Sequence, residues 1–283
     1  MFTYRNYRKL KNLTFLSVVL LSSIGVLIPI FLIIQFVLIQ GISALNLNFF
    51  TQLPRPVGEL GGGMKHAIIG TLYIVAIGAL FAIPIGITCG VYLSEFRKSK
   101  LAKTLRLTTE LLSGIPSIVI GIFAYLIVVV PLKSFSALAG GIALSIIMLP
   151  IIIKTSEEIL KLVPNHIREA GLALGLPRWR VIINIILKGS LPNLLTGVIL
   201  AISRAAGETA PLLFTAFGNL YLTYQINQPM ASLPVQIYTY AISPFKDWQQ
   251  QAWAGAFVLM VLILAMNLFA RFLLAKLKGK KGY

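Results

Sequence analysis

Long apolar runs are the feature that most constrains how this chain folds. Six of them occur, at residues 13–39, 67–93, 111–131, 135–153, 191–218 and 252–270. Five contain no charged residue, and the run 191–218 contains only Arg204 and Glu208. At about 1.5 Å of helix rise per residue, each run is long enough to cross about 30 Å of hydrocarbon. The sequence therefore predicts an all-α membrane protein with six transmembrane helices.

The composition excludes two other classes of chain. Hydrophobic residues make up 57% of the 283 residues and charged residues 12%, against roughly 45–50% and about 25% in soluble domains. A soluble protein this apolar could not cover its surface with polar groups, and disorder requires low hydrophobicity with high charge. The single cysteine, Cys89, excludes an intramolecular disulfide framework and a cysteine-cluster metal site.

The 25 Lys and Arg residues, which give a net charge of +17, are distributed unevenly. Twenty lie before the first run, between the second and third, between the fourth and fifth, and after the sixth, whereas only four lie in the other connections. This asymmetry is the positive-inside pattern and predicts a multi-pass topology with both termini in the cytoplasm. The positive charge therefore reflects the topology of a membrane protein rather than a nucleic-acid-binding surface. The first run, at 27 residues, exceeds the 7–15 residues of a signal-peptide core, so we expect it to be retained.

The sequence contains no pattern for catalysis. The string Gly-x-x-x-x-Gly-Lys-Ser/Thr does not occur, so any ATP that drives this protein binds to another subunit. His66 and His166 fall on opposite sides of the predicted membrane, and we interpret both as solvated loop residues. Glu157 and Glu158 are interpreted as part of an ordinary charged helix face. We therefore expect no catalytic residue, no metal ligand and no cofactor in this chain.

The longest predicted cytoplasmic connection, residues 154–190, has a helical pattern of its own. Pro164 and Asn165 are typical of a helix start, and Gly175 of a helix end. Pro177 suits the first turn of a second short helix. Two short helices joined by a sharp turn can be gripped by a partner protein or can lie on the lipid surface, and the pattern alone leaves both interpretations open.

Part of this connection matches a known motif. The matching residues are Glu169, Ala170, Gly171, Gly175, Ile185 and Leu187. At this spacing they resemble the EAA motif of importer permeases in the ATP-binding-cassette (ABC) superfamily, in which the segment forms a coupling helix that docks on the ATPase subunit. The resemblance assigns ATPase coupling to Glu169, Ala170, Gly171 and Gly175. We expect the small residues Ala170 and Gly171 to allow close approach of the ATPase surface.

Three further strings narrow the resemblance. They are Leu-Ser-Gly-Ile-Pro-Ser-Ile-Val-Ile-Gly from Leu112, Ser-Arg-Ala-Ala-Gly-Glu-Thr-Ala-Pro-Leu-Leu from Ser203, and Leu-Pro-Val-Gln-Ile-Tyr from Leu233. Together they resemble the phosphate-specific ABC importer family, and within it the permease subunit of A type. The second string is the most specific, because an Arg and a Glu inside a membrane helix are rare. By contrast, the pairs Gly86/Gly90 and Gly197/Ala201 indicate only close helix packing.

The resemblance implies a type I ABC importer permease fold in the bacterial inner membrane. It implies three partners: a homologous permease of C type, a cytoplasmic ATPase dimer that binds ATP and Mg²⁺, and an external phosphate-binding protein. It also divides the chain into residues 1–66 (cytoplasmic tail, first helix and outer loop), 67–275 (importer core, with a coupling segment at about 164–188) and 276–283 (basic cytoplasmic tail). A permease for molybdate, tungstate or sulfate, and a secondary transporter or channel, are the alternatives.

Arg204, Glu208 and Thr209 are the predicted substrate-pathway residues. Arg204 is the fourteenth residue of its 28-residue run, which places it near the middle of the membrane, and Glu208 follows one helical turn later. Ionisable residues at such depth face a bundle interior or a wet cavity, and a guanidinium matches an oxyanion with two parallel donors. A purely structural Arg–Glu pair is the alternative. Glu208 either holds an Arg in place or accepts the proton that phosphate still carries at neutral pH.

Overall fold

The structure, a computed structural model, describes residues 2–56, 59 and 61–279, and all regular structure within them is helical. The helices are α1 (Phe2–Ala44), α2 (Leu47–Thr51), α3 (Lys65–Glu95), α4 (Lys100–Gly114), α5 (Ser117–Ala124), α6 (Val130–Leu132), α7 (Ala137–Lys161), α8 (Asn165–Ala173), α9 (Arg178–Val181), α10 (Lys188–Ala206), α11 (Ala210–Leu213), α12 (Leu233–Ala241) and α13 (Lys246–Gly279). Two π-helical segments, Tyr125–Val129 and Ile182–Leu187, join α5 to α6 and α9 to α10.

The number of membrane spans agrees with the hydropathy pattern. Within the described residues, five helical stretches are long and apolar enough to cross a membrane: Asn6–Ala44, Lys65–Glu95, Ala137–Lys161, Arg178–Ala206 and Lys246–Phe272. A bent pair, Lys100–Gly114 with Ser117–Leu132, supplies a sixth if it is one span. The basic residues before the first run belong to α1 itself, because that helix begins at Phe2. Of the predicted basic tail, residues 280–283 lie outside the described residues.

The centre of the bundle is the parallel pair α3 and α7, in which Gly78, Gly86 and Gly90 meet Leu144, Ile152 and Ser156 in turn, with α10 packed against α7. Small residues let these helices approach closely. A Cβ atom on Gly86 would lie 2.6 Å from Cγ2 of Ile152, and one on Gly90 would overlap Ser156. Gly197 of α10 likewise faces Thr155 of α7 without room for a side chain. Gly86, Gly90, Gly197 and Ala201 are all buried, which confirms that these small-residue pairs mark helix contacts.

The third apolar run is not one straight helix, contrary to the prediction. The chain bends by 107° between α4 and the helix Ser117–Leu132. The bend falls at Ile115, which is extended (φ −73°, ψ 131°) because it precedes Pro116, and proline disfavours the helical conformation of the residue before it. As a result α4 packs Ala102 and Thr109 toward the bundle and carries three basic residues, while the apolar span begins only at Ser117.

The fifth run also differs from the prediction of a single helix over residues 191–218. The helix begins earlier, at Arg178, and ends at Ala206, because Gly207 terminates α10 and Pro211 opens the short helix α11. The chain then turns at Phe217 and Gly218, whose φ angles are 62° and 133°. This broken segment packs back into the bundle: the amide of Ser136 donates to the carbonyl of Thr215 over 3.0 Å.

Candidate functional site

Arg204 lies in the last turn of α10 and forms an ion pair with Glu208. Nε of Arg204 is 3.7 Å from Oε1 of Glu208, which is too long for a hydrogen bond. The side chain of Arg204 is 60% exposed in the isolated chain, whereas that of Glu208 is 16% exposed. The end of a helix concentrates partial negative charge, so a cation there is stabilised. The sequence-predicted pair is therefore formed, with the arginine facing outward from this subunit.

The packing register gives the depth of Arg204 in the bundle. Gly197 lies against Thr155, and the two helices run antiparallel. Seven residues further along α10, a distance of about 10 Å, Arg204 comes level with the middle of α7. Its helix ends there, inside the bundle, rather than continuing to the far end. Arg204 therefore lies level with the middle of α7, and the helix that was expected to surround it is broken.

Thr209 is close to Glu208 in sequence but faces a different space. Its carbonyl accepts from the amides of Leu212 and Leu213, at 3.1 and 3.2 Å, and so starts α11. With Gly207, Thr209 lines a groove of about 410 Å³ whose other walls are apolar residues of α12 and α13. The structure therefore brings Arg204 and Glu208 together and places Thr209 on the neighbouring groove.

A polar stripe on α10 was not predicted from the sequence. Asn193, Thr196, Leu200 and Arg204 are exposed and recur every three or four residues, so they share one helix face. The end of this face near Asn193 opens into a groove of about 350 Å³. Its polar lining residues are Thr155, Asn193, Thr196, Asn267 and Arg271. The helical spacing of Asn193 and Thr196 from Arg204 is the signal that could have revealed the stripe.

The segment α8–α9 forms the two short helices that the pattern predicts. Gly175 adopts φ +79°, a conformation that favours glycine, and its amide donates to the carbonyl of Leu172 over 2.9 Å. Pro177 directly precedes α9. Glu169, Ala170 and Leu172 are exposed on α8, and Leu174, which caps the helix, is exposed as well.

Gly171 does not lie on the exposed face, so the expectation that a partner surface approaches it was wrong. The residue is buried, and a Cβ atom there would lie 2.9 Å from Cγ2 of Val181 and 3.0 Å from Cδ1 of Ile185. The glycine permits α8 to pack on the helix that follows it. Of the four predicted coupling residues, Gly171 and Gly175 therefore shape the helix pair, while Glu169 and Ala170 are accessible.

Two acidic residues, Glu157 and Glu95, are buried in ion pairs that the sequence did not predict. Glu157, interpreted as part of a solvated face, has a 7% exposed side chain and pairs with Arg106 at 2.6 Å and Lys161 at 2.5 Å. Glu95, which no sequence pattern singles out, has a 5% exposed side chain and pairs with Arg168 of α8 at 2.9 Å. Neither pair has a local signature, because the partners Glu157 and Arg106 are 51 residues apart and Glu95 and Arg168 are 73 apart.

Of the two histidines, which were both predicted to be solvated, only His166 is exposed. His66 is 2% exposed at the start of α3, whereas His166 is exposed on α8. They lie at opposite ends of the bundle, as predicted. Among the described residues, no group of three His, Cys, Asp or Glu side chains could hold a metal ion.

A bundle of spanning helices with a charged break inside it and a helix pair at one end defines the class of protein: a membrane permease. More narrowly, the chain belongs to the family of binding-protein-dependent transport system inner membrane components, whose sequence pattern matches residues 82–279. Members of this family are transport components of ABC importers rather than enzymes.

Curated relatives cover nearly the full chain. The phosphate transport system permease protein PstA of Yersinia pestis is 45% identical over 240 residues, covering 84% of this chain and 81% of the relative. The protein of the same name from Pasteurella multocida is 44% identical over 273 residues, covering 95% and 96%. The probable PstA of Methanocaldococcus jannaschii is 34% identical over 273 residues, covering 96% of each.

Solved structures show the same fold. An inward-facing conformation of the MetNI methionine ABC transporter aligns with a TM-score of 0.62, covering 75% of this chain and 96% of that one. A second crystal form of the same transporter aligns with a TM-score of 0.61. At 16% and 18% sequence identity, these similarities establish the type I ABC importer permease fold and nothing about substrate.

Proposed function

We propose that this chain is the permease subunit of an ATP-driven importer of inorganic phosphate. The observation that carries the proposal is the Arg204–Glu208 pair at the break of α10, in a chain 44–45% identical over most of its length to phosphate transport permeases. The chain lacks the phosphate-binding loop of ATPases, so ATP and Mg²⁺ bind to a separate ATPase dimer.

Arg204 is suited to receive the anion because it is outward-facing and loosely held. A guanidinium presents planar, paired N–H donors that match two phosphate oxygens, and it remains charged at every physiological pH. The 3.7 Å separation from Glu208 leaves the ion pair without the short hydrogen bond that would occupy the donors. We infer that the outward face of α10 meets the homologous C-type permease, so that the pathway runs between the two subunits.

The polar stripe continues the pathway away from Arg204. The amide of Asn193 offers uncharged hydrogen-bond donors, which can accompany an anion without trapping it, and Arg271 stands at the end of the same groove. Conduction requires sites that bind strongly enough for entry and weakly enough for release. A pathway from the guanidinium of Arg204, past neutral donors, to the guanidinium of Arg271 satisfies that requirement.

The exposed part of α8 is the proposed contact with the ATPase. Glu169 supplies a charge and Ala170 a surface without bulk, while the exposed Leu172 and Leu174 can fill a groove on the partner. Gly175 contributes through the turn. In this arrangement the basic end of the bundle faces the cytoplasm of the bacterial inner membrane, both termini are cytoplasmic, and an external phosphate-binding protein docks at the opposite end.

Vesicle transport tests the proposal. The chain is reconstituted with its C-type partner and ATPase in proteoliposomes, and uptake of labelled phosphate is followed with the binding protein outside and ATP inside. We expect uptake that requires both ATP and the binding protein and is not reduced by excess sulfate or molybdate. Uptake without ATP would favour a secondary transporter, and ATP-dependent uptake of sulfate or molybdate in preference to phosphate would show that the substrate is a different oxyanion.

A further inference from the structure

Arg168 bonds the helix α8 to two other helices at once. Its Nε donates to Oε1 of Glu95, at the end of α3, over 2.9 Å. Its two terminal nitrogens donate to the carbonyl of Val163, just after α7, over 2.5 Å and to that of Leu160, in the last turn of α7, over 3.0 Å. One guanidinium therefore ties the coupling segment to both members of the central helix pair.

The ion pair between Arg168 and Glu95 is buried, which makes it costly to separate. The side chains of Arg168 and Glu95 are 15% and 5% exposed. Separating a buried ion pair leaves an unpaired charge in a poorly solvated place, which costs far more than breaking a surface pair. The contact also depends on the arginine fork, since a lysine ammonium cannot reach a carboxylate on one side and two carbonyls on another with the same geometry.

A second contact joins the same elements. The guanidinium of Arg178, at the start of α9, lies over the ring of Phe96 at 5.0 Å from its centroid, and Phe96 caps α3. Beneath these polar contacts, Val181 and Ile186 pack with Leu160 in a small apolar cluster. Both short helices of the segment are thus attached to the ends of α3 and α7.

We propose that Arg168 is a positioning residue that makes the coupling segment move as one body with α3 and α7. Movement of the ATPase then displaces the central helix pair directly, instead of flexing α8 on its own. This inference rests on the proposed function only in assuming that an ATPase acts on α8; it does not depend on the substrate.

Distance measurement by pulsed electron paramagnetic resonance tests whether the parts move together. Spin labels are placed at His166→Cys on α8 and Lys98→Cys beyond α3, both exposed positions, in a Cys89→Ser background of the complete complex. With Arg168 intact, we expect the same distance without nucleotide and after trapping with ATP and vanadate. With Arg168→Gln, we expect the distance to change or broaden on trapping.

The functional measurements separate transmission from folding. Arg168→Gln should keep complex assembly and basal ATP hydrolysis, but lose stimulation by loaded binding protein by about tenfold, within the range of known coupling effects. Arg168→Lys should behave like Arg168→Gln, because it lacks the fork. Glu95→Gln should retain more stimulation than Glu95→Ala, because it keeps an oxygen that accepts from Nε. Arg180→Gln is the matched control, since that guanidinium lies over the neighbouring Trp179 ring and should leave all values unchanged.

Two results would overturn the inference. One is an unchanged distance and unchanged stimulation in Arg168→Gln. The other is a proportional loss of assembly, basal hydrolysis and stimulation in Arg168→Gln, Arg168→Lys and Glu95→Ala alike, which would make the cluster structural only. Neither readout uses phosphate transport, so a wild-type complex that passes these tests but imports another anion would refute the substrate assignment and leave the role of Arg168 intact.

Discussion

Among single residues, Arg204 carries the clearest functional prediction. Arg204→Lys keeps the positive charge but removes the planar pair of donors. Because the side chain is 60% exposed and held only by a 3.7 Å contact, we expect little effect on the stability of the complex. Phosphate uptake should fall by about 10²-fold if two oriented hydrogen bonds to the charged anion are lost, at about 1.5 kcal/mol each. Uptake and thermal unfolding are measured on the same preparation; normal uptake would assign Arg204 to a structural pair.

A substitution of Glu208 distinguishes its two possible roles, which are recognition of the proton on phosphate and positioning of Arg204. Glu208→Gln keeps the shape of the side chain and removes its charge. If the carboxylate recognises the proton on phosphate, the variant should remain as stable as wild type but lose discrimination against sulfate, measured as competition in vesicle uptake. If it only holds Arg204, discrimination should stay intact while the unfolding temperature and uptake fall together. The double variant Arg204→Leu/Glu208→Leu removes both charges; transport that survives it would exclude both residues from the pathway.

We expect the charge of Glu157 to stabilise the subunit, because its side chain joins α7 to Arg106 of α4. Glu157→Gln leaves Arg106 and Lys161 without their buried carboxylate. Since those two side chains are 33% and 35% exposed, water screens part of the effect, and we expect a loss of about 1–3 kcal/mol rather than the larger cost of a fully buried pair. Thermal unfolding in detergent measures the change. Glu158→Gln, at the exposed neighbouring position, should leave the unfolding temperature unaltered; equal shifts in both variants would contradict the prediction.

Among the helices, α8 yields opposite predictions for two adjacent residues. Ala170→Trp adds bulk on the exposed face, so it should leave the isolated subunit stable and prevent copurification of the ATPase. Gly171→Leu forces a side chain into Val181 and Ile185, so it should destabilise the subunit by about 1–3 kcal/mol, the usual cost of overpacking. Unfolding temperature and ATPase copurification are measured for both. An ATPase that still binds the Ala170→Trp variant would favour a helix pair that lies on the lipid surface.

For the protein as a whole, the charge asymmetry predicts the orientation in the membrane. Reporter fusions after Lys100, after Lys161 and at the carboxyl terminus should report the cytoplasm, and fusions near Arg55 and Lys246 the outside. The structure supports the grouping of the first two positions, since contacts from Arg106 to Glu157 and from Arg168 to Glu95 bring their connections to one end. An outside result after Lys161 would place α8 beyond the reach of a cytoplasmic ATPase.

Local pattern was sufficient for the approximate positions of the spans, for the two short helices and for the Arg204–Glu208 pair. Each of these depends on residues near one another in sequence: an apolar window of about 20 residues, a Gly and two Pro at helix ends, or a spacing of one helical turn. The motif resemblance that led to the importer family is also local, since it rests on short strings around Glu169 and Arg204.

Only the tertiary structure decided which side of each helix is buried and where two of the runs break. Gly171, His66 and Glu157 were each expected to be accessible, and all three are buried. All three lie outside the apolar runs, where contacts with other segments of the chain decide which residues are covered. Arg168, the partner of Glu95, and Arg106, one of the two partners of Glu157, lie 73 and 51 residues away, a separation that no local pattern records. Hydropathy likewise does not record the 107° bend before Pro116 or the end of α10 at Gly207, because both breaks lie inside long, mainly apolar runs and are set by backbone geometry.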